Sequence, residues 1–253
     1  MFEPFTRQLF RDAGLSSGMR VLDVGCGSGD VALLAAEIVG PGGAVVGVDR
    51  AAAAIVRART RAEIRGMSNV QFVEGDPALI TLDETFDAIV GRLILMYYAD
   101  PIDALRKLLL HLRPDGIVVF QEFDPSGCKS HPASPAYDRC ANWIIRTLAL
   151  SGAHTHLGLE LYRIFQSAGL PAPMLRLDGV ISGGPSAPYE ALPEVVRSLL
   201  PAIERFGIAT AAEIDIDTLA QRIRDDVLAK NSVIVGPLLI GAWARQAGNN
   251  SRQ

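Results

Sequence analysis

Cysteine is scarce in this chain. Three occur in 253 residues (Cys26, Cys128 and Cys140), and none forms a Cys-x-x-Cys pair. That excludes a disulfide scaffold and reads as reduced thiols in a cytoplasmic protein. Only four histidines are present, and no His/Cys/Asp cluster has the spacing of metal ligands, so no metal is expected. Basic residues are not in excess: 24 Lys and Arg stand against 28 Asp and Glu, for a net charge of -4. Without clustered positive charge there is no footprint for a nucleic acid. Pairs such as Arg57/Arg59 and Arg222/Arg224 read as solvated helix faces. No apolar run is long enough to span a bilayer, and Met1–Pro4 lacks the basic start and apolar core of a signal peptide. A membrane partner is therefore not expected.

What the chain does have is apolar bulk, 49% of its residues, enough for a large core. In the first half, short β-branched runs alternate with longer amphipathic segments. Strands are expected at Arg20–Val24, Ala44–Val48, Val70–Glu74, Ala88–Gly91 and Ile117–Phe123. Helices are expected at Asp30–Val39, Ala51–Arg65 and Ile102–Leu112. Continuous apolar strands separated by helices imply a mostly parallel sheet covered on both faces, an α/β fold. After Phe123 comes a Pro/Ser/Gly-rich stretch to Ala136. Helices follow at Tyr137–Leu150 and Leu157–Ala168, then a strand at Met174–Ile181. Helical segments near Glu190–Phe206 and Asp215–Leu228 precede a last strand at Leu238–Ala244. The expected organisation is one domain over residues 1–253. Residues 1–123 form the cofactor-binding core, 124–168 and 183–230 helical lid insertions, and 169–182 and 231–245 the last two strands. The polar tail Gly248–Gln253 is expected to be disordered.

The most informative run is Val21-Leu22-Asp23-Val24-Gly25-Cys26-Gly27-Ser28-Gly29-Asp30. It joins a buried strand to a helix, where glycines allow a sharp turn and close approach of a ligand. Asp49, at the tip of the second strand about twenty positions on, suits a carboxylate that accepts both ribose hydroxyls; Arg50 follows it. Nicotinamide enzymes share this outline, but two features separate the readings. The spacing is Gly-x-Gly-x-Gly, not Gly-x-Gly-x-x-Gly, and the loop is flanked by Asp23 and Asp30. Acids there would repel a pyrophosphate at the helix N-terminus but suit S-adenosylmethionine (AdoMet), which carries a sulfonium and an ammonium. After the third strand, Asp76 in Glu74-Gly75-Asp76-Pro77 could accept from an adenine amino group. After the fourth, Asp87 to Tyr98 brings Arg92, Tyr97 and Tyr98 to the same carboxyl ends of the strands, where open α/β sheets bind ligands.

On these motifs the chain resembles the class I AdoMet-dependent methyltransferases, in particular the small-molecule branch that includes quinone-biosynthesis and natural-product tailoring enzymes. The likeness is strong from Met19 to Phe123 and looser through Leu157–Leu170 and Gly236–Arg245. It implies a Rossmann-like, seven-stranded sheet with the last strand antiparallel, a helical lid, and AdoMet as cofactor. It also implies that Asp49 binds ribose, Asp76 with Gly75 and Pro77 lies on the adenine side, and Gly25, Gly27 and Gly29 bracket the amino-acid part. Asp23, inside an apolar strand, needs a structural or cationic partner. Arg92 is open between the cofactor carboxylate and the surface.

For catalysis, Glu122 at the end of the fifth strand is expected to face the acceptor, and Tyr98 to shape its pocket. His154 and His156, before the helix at Leu157, are alternative bases; His111 reads as structural. Trp143, Ile144, Leu148, Leu157, Leu199, Leu200 and Phe206 either line an apolar acceptor pocket or only pack the lid. The expected activity is transfer of a methyl group from AdoMet to an O, N or C nucleophile of a small lipophilic or aromatic metabolite, with a homodimer left open. The alternatives are a nicotinamide-dependent oxidoreductase and a non-catalytic AdoMet-binding module.

Overall fold

The computed structural model describes residues 2–80, 82 and 84–247; the tail read as disordered lies outside them. By packing, the chain divides into two compact units. The first comprises Met1–Glu122, Leu157–Leu177 and Ile240–Gln253, and the second Phe123–His156 and Asp178–Leu239.

The first unit is built on strands β1 (Arg20–Val24), β2 (Ala44–Asp49), β3 (Val70–Glu74), β4 (Phe86–Arg92) and β5 (Leu112–Asp124). With β7 (Met174–Asp178) and β10 (Leu238–Arg245) they make a seven-stranded sheet in the order β3-β2-β1-β4-β5-β10-β7. The pairs β3/β2, β2/β1, β1/β4 and β4/β5 are parallel. Val21, Leu22, Asp23 and Val24 are all buried, as expected for a strand covered on both faces. The order reverses between β1 and β4, and such a reversal opens a crevice at the carboxyl ends of the strands. Register brings those ends level: Val24 stands beside Val48 and Gly91, Asp49 beside Glu74, and Arg92 beside Gln121.

Helices α2 (Asp30–Val39), α3 (Ala52–Ile64) and α4 (Pro101–Leu109) fall within about three residues of their expected bounds. Asp100 caps α4 by accepting from the amides of Ile102 and Asp103. The sequence reading missed α1 (Glu3–Ala13). Its signals are Pro4 in the first turn, Gly14 closing it at φ 87°, and a buried stripe of Phe5, Leu9, Phe10 and Ala13. Leu9, Phe10 and Ala13 of that stripe join the core formed by α2 and the strands.

Two boundaries are corrected by packing. Helix α6 (Leu157–Ala168), expected within a lid insertion, packs on α4 and belongs to the first unit. Its Leu157, Leu161, Ile164 and Phe165 are buried, and Phe165 meets Phe120 edge to face. The strand expected at 174–181 is two strands, β7 in the large sheet and β8 (Ile181–Gly183) in a small one, separated at Gly179.

The second unit contains α5 (Pro135–Leu150), α7 (Ala191–Arg205), α8 (Ala211–Ile214) and α9 (Ile216–Ala229), with an antiparallel sheet β6-β9-β8 made by Lys129–His131, Val233–Val235 and Ile181–Gly183. The stretch read as loop at 124–136 thus includes a short strand, β6. Tyr137, Trp143, Val196, Ile203, Ile223 and Ile234 form the core of this unit, with Ile144, Leu199 and Leu200 packed against it. Of the apolar residues read as pocket or packing, Trp143, Ile144, Leu199 and Leu200 pack in this core, and Leu157 packs in the first unit.

Candidate functional site: the carboxyl ends of β1 to β5

The loop from Gly25 to Gly29 leaves β1 with all three glycines at positive φ: 67°, 52° and 89°. Two of them have separate reasons. A Cβ on Gly25 would stand 2.4 Å from Cγ1 of Ile94, so the loop closes down on the turn after β4. A Cβ on Gly27 would meet nothing within 4 Å; here the chain is bare and open to an approaching ligand. The Gly27 amide donates to Oδ2 of Asp49 at 2.8 Å, and the Ala51 amide to Oδ1 at 2.8 Å. Asp49 therefore ties the tip of β2 to the loop, and each of its oxygens retains a second lone pair for a hydroxyl. Cys26 is buried, and that burial pushes its thiol far above the ordinary range; it packs and does not react.

Asp23 is fully buried, and neither carboxylate oxygen has a hydrogen-bond partner. Burial pushes its pKa up to about 8; Arg92 and the approach of the Ala32 backbone N–H, which falls short of hydrogen-bond geometry, pull it down, while Asp49 and Asp30 push it further up. An unpartnered buried carboxyl beside a bare loop suits a bound cation, and this is the observation on which AdoMet fits the residues present. The other flanking acid is different. Asp30 is exposed and pairs with Arg61 at 2.7 Å and Arg92 at 3.5 Å, so the expected pair of free acids reduces to one.

Arg92 is nearly buried. It also reaches the Thr6 hydroxyl at 3.3 Å and lies 5.5 Å from the Phe2 ring. A cavity of about 180 Å³ opens beside it, between α1, α2 and α3, with Arg61, Arg65, Asp30 and Glu37 among its walls. Arg92 is therefore an interior residue of the site, and α1 supplies neighbours that the motifs do not announce.

On the other flank, Asp76 accepts from the Ala78 amide at 3.0 Å and faces Arg50 at 3.4 Å. Gly75 and the buried Pro77 bracket it. The Arg50 guanidinium lies 5.3 Å from the centre of the Tyr98 ring. Tyr98, expected at the acceptor, is thus placed with Arg50 and Asp76. Burial raises the pKa of its phenol, with Asp76 adding to the effect.

Glu122 departs most from expectation. Its side chain does not face an open acceptor site: it is fully buried, and Oε1 accepts from the amides of Ile94 at 3.0 Å and Leu95 at 2.7 Å. Burial lifts its pKa to about 8, opposed by those amides and that of Met96. A base must reach its substrate, and this carboxyl is enclosed, with Oε1 taken by the turn and Oε2 buried without a hydrogen-bond partner.

The two histidine candidates separate. His154 is exposed and makes no hydrogen bond or ion pair among the described residues. His156, also exposed, holds Asp124 through Nδ1 at 3.0 Å from Oδ2. Asp124 ends β5, is fully buried, and takes the Ser126 amide and hydroxyl on Oδ1. Burial works against its charge, but the hydrogen bonds from Ser126 and His156 outweigh it and hold the carboxyl below its ordinary range. Asp124 was not singled out from sequence; its place two residues beyond Glu122 on the same strand was the available signal. Among the described residues, no group of three His, Cys, Asp or Glu side chains could hold a metal ion, and no helix is long and apolar enough to cross a membrane.

A sheet in this order, with a glycine loop at its point of reversal and acids at successive strand tips, is an α/β fold that binds a nucleoside-bearing cofactor at the carboxyl ends of its strands. Comparison with known proteins agrees. A family model described as a methyltransferase domain matches residues 15–169. The chain is 35% identical over 194 residues to a demethylmenaquinone methyltransferase of Thermus thermophilus, covering 76% of this chain and 72% of that one. It is 38% identical over 117 residues to a nocamycin O-methyltransferase of Saccharothrix syringae, covering 46% and 41%. A putative methyltransferase from Bacillus halodurans superposes with a TM-score of 0.65 over 96% of this chain and 98% of that one, at 19% identity, a likeness of fold alone. The chain therefore belongs to the methyltransferase-domain family, as a class I AdoMet-dependent enzyme acting on small molecules. The nicotinamide alternative falls with that assignment.

Proposed function

We propose that the chain works as a single methyltransferase domain, the second unit being its acceptor-specific insertion. The acceptor is an ionisable oxygen or carbon of a lipophilic, quinone-like or natural-product small molecule, and no nucleic acid is involved. Support for the acceptor class comes from relatives named for quinones and natural products, together with a net charge of -4.

The observation that carries the cofactor side is the unpartnered Asp23 behind the bare loop at Gly27. In this reading Asp23 holds the ammonium, Asp49 the ribose hydroxyls and Asp76 the adenine amino group. The backbone from Gly25 to Gly29 lines the amino-acid part, and Arg92 takes the carboxylate. When bound, the cofactor supplies a methyl group already activated by its sulfonium. The chain's work is then to align the reactants and exclude water, which can contribute about 7–11 kcal/mol to lowering a barrier.

For the acceptor proton we assign His156. Asp124 fixes the tautomer by accepting from Nδ1–H, which leaves the Nε2 lone pair free to take a proton. His156→Gln should lower turnover about 100-fold or more with AdoMet affinity unchanged, and Asp124→Asn should lower it less. The assay is methyl transfer from methyl-labelled AdoMet to a reduced prenylated naphthoquinone, followed by product mass. Full turnover in His156→Gln would remove the base from this reading.

A further inference from the structure

The turn that leaves β4 is an unusual piece of backbone. Leu93 sits at φ 55°, a region that costs a non-glycine residue free energy and persists only where its surroundings enforce it. Three hydrogen bonds do so, all ending on neighbouring residues of β5. The Leu93 amide donates to the Gln121 carbonyl at 2.8 Å, and the Ile94 and Leu95 amides both donate to Oε1 of Glu122. The result folds Ile94 back over the sheet. Its side chain fills the space that a Cβ on Gly25 would take, at 2.4 Å, and the space beside Gly91, at 2.9 Å. Gly91 and Val24 are register partners on β4 and β1, so Ile94 wedges between the last turn of β4 and the first residue of the glycine loop.

We propose that Glu122 is a positioning residue for the cofactor: it clamps the turn at 93–95 and so presses Ile94 against Gly25, fixing the shape of the loop. The proposal rests on the reading of that loop as the AdoMet site, and it replaces the role of base expected for Glu122. The clamp needs only one acceptor oxygen, which the carbonyl of glutamine also supplies.

The test uses the full chain, calorimetric titration with AdoMet, and amide hydrogen exchange of the unliganded protein. Glu122→Ala should weaken AdoMet binding about tenfold or more and strip protection from the Ile94 and Leu95 amides. Glu122→Gln should restore both affinity and protection. Ile94→Ala should weaken AdoMet binding comparably while the Leu95 amide stays protected, and it decides the matter if Glu122→Ala fails to fold. Glu122→Gln that loses AdoMet affinity and amide protection as fully as Glu122→Ala would overturn the clamp. Wild-type affinity in Glu122→Ala and Ile94→Ala would overturn it too. If the wild type bound no AdoMet, the functional reading would fail instead, and amide exchange alone would decide whether the clamp exists.

Discussion

Replacing Asp23 by asparagine keeps the shape of the side chain and removes its charge, so it isolates what a buried carboxyl is doing inside β1. In the unliganded protein its pKa is raised from 3.8 to about 8, chiefly by burial. Between those values the folded state keeps the proton while the unfolded chain sheds it. Stability therefore falls as pH rises across that window, by about 1.4 kcal/mol per pH step. By pH 7 this amounts to a cost on the order of 4 kcal/mol. Glu122, also lifted to about 8, adds a slope of the same sign, so the difference between wild type and Asp23→Asn is what isolates Asp23. Denaturant unfolding from pH 5 to pH 8 should show a flatter curve for the variant. Toward AdoMet the sign reverses. A charged hydrogen bond lost at a buried site costs about 2–3 kcal/mol, which is roughly 30- to 150-fold in affinity. Binding to the wild type at pH 7 should also release most of a proton, read from calorimetry in buffers of different ionisation enthalpy. A variant that binds AdoMet as tightly as wild type, with no proton released by the wild type, would refute the reasoning.

Four further outcomes are expected. Gly25→Ala should abolish AdoMet binding, because the new methyl would collide with Ile94 in a backbone conformation that alanine avoids; wild-type affinity by calorimetry would contradict this. Asp49→Ala should weaken AdoMet binding, since it removes the tie from the loop at Gly27 to β2 and the bond that holds the Ala51 turn as well as the ribose acceptor; an unchanged titration would remove Asp49 from the site. Phe10→Ala should cost about 3–5 kcal/mol of stability, since Phe10 is buried in the core beside α2; a loss below 1 kcal/mol would mean that α1 is not docked. Cys26 should resist a thiol reagent in the folded protein, because it is buried and its thiol is held protonated; rapid native labelling would show that the loop opens.

What could be read in advance was local in sequence. The run from Val21 to Asp30 places strand, turn and helix within ten residues, so its glycines and flanking acids announce the loop directly. Asp49 and Asp76 follow for the same reason, each at the tip of a strand with its own apolar run. What could not be read depends on residues far apart. Asp30 looks like a free acid until Arg61 and Arg92 arrive from α3 and β4. Asp124 is only a loop acid until His156 closes on it from 32 residues away. Glu122 shows the limit most clearly. On a strand with one wet face, alternation would say which way a side chain points. But the run from Gly116 to Glu122 is buried throughout, and covering on both faces erases that signal. The apolar residues of the second unit were equally ambiguous, because helix packing and pocket lining draw on the same side chains.

The central claim is that an uncompensated buried carboxyl behind a bare glycine loop makes this crevice select a positively charged nucleoside. Parallel calorimetric titrations of the wild-type chain with AdoMet and with NADH test it most directly. AdoMet should bind one to one, with an affinity that falls in Asp23→Asn, and NADH should give no heat of binding. Saturable binding of NADH with none of AdoMet would contradict it.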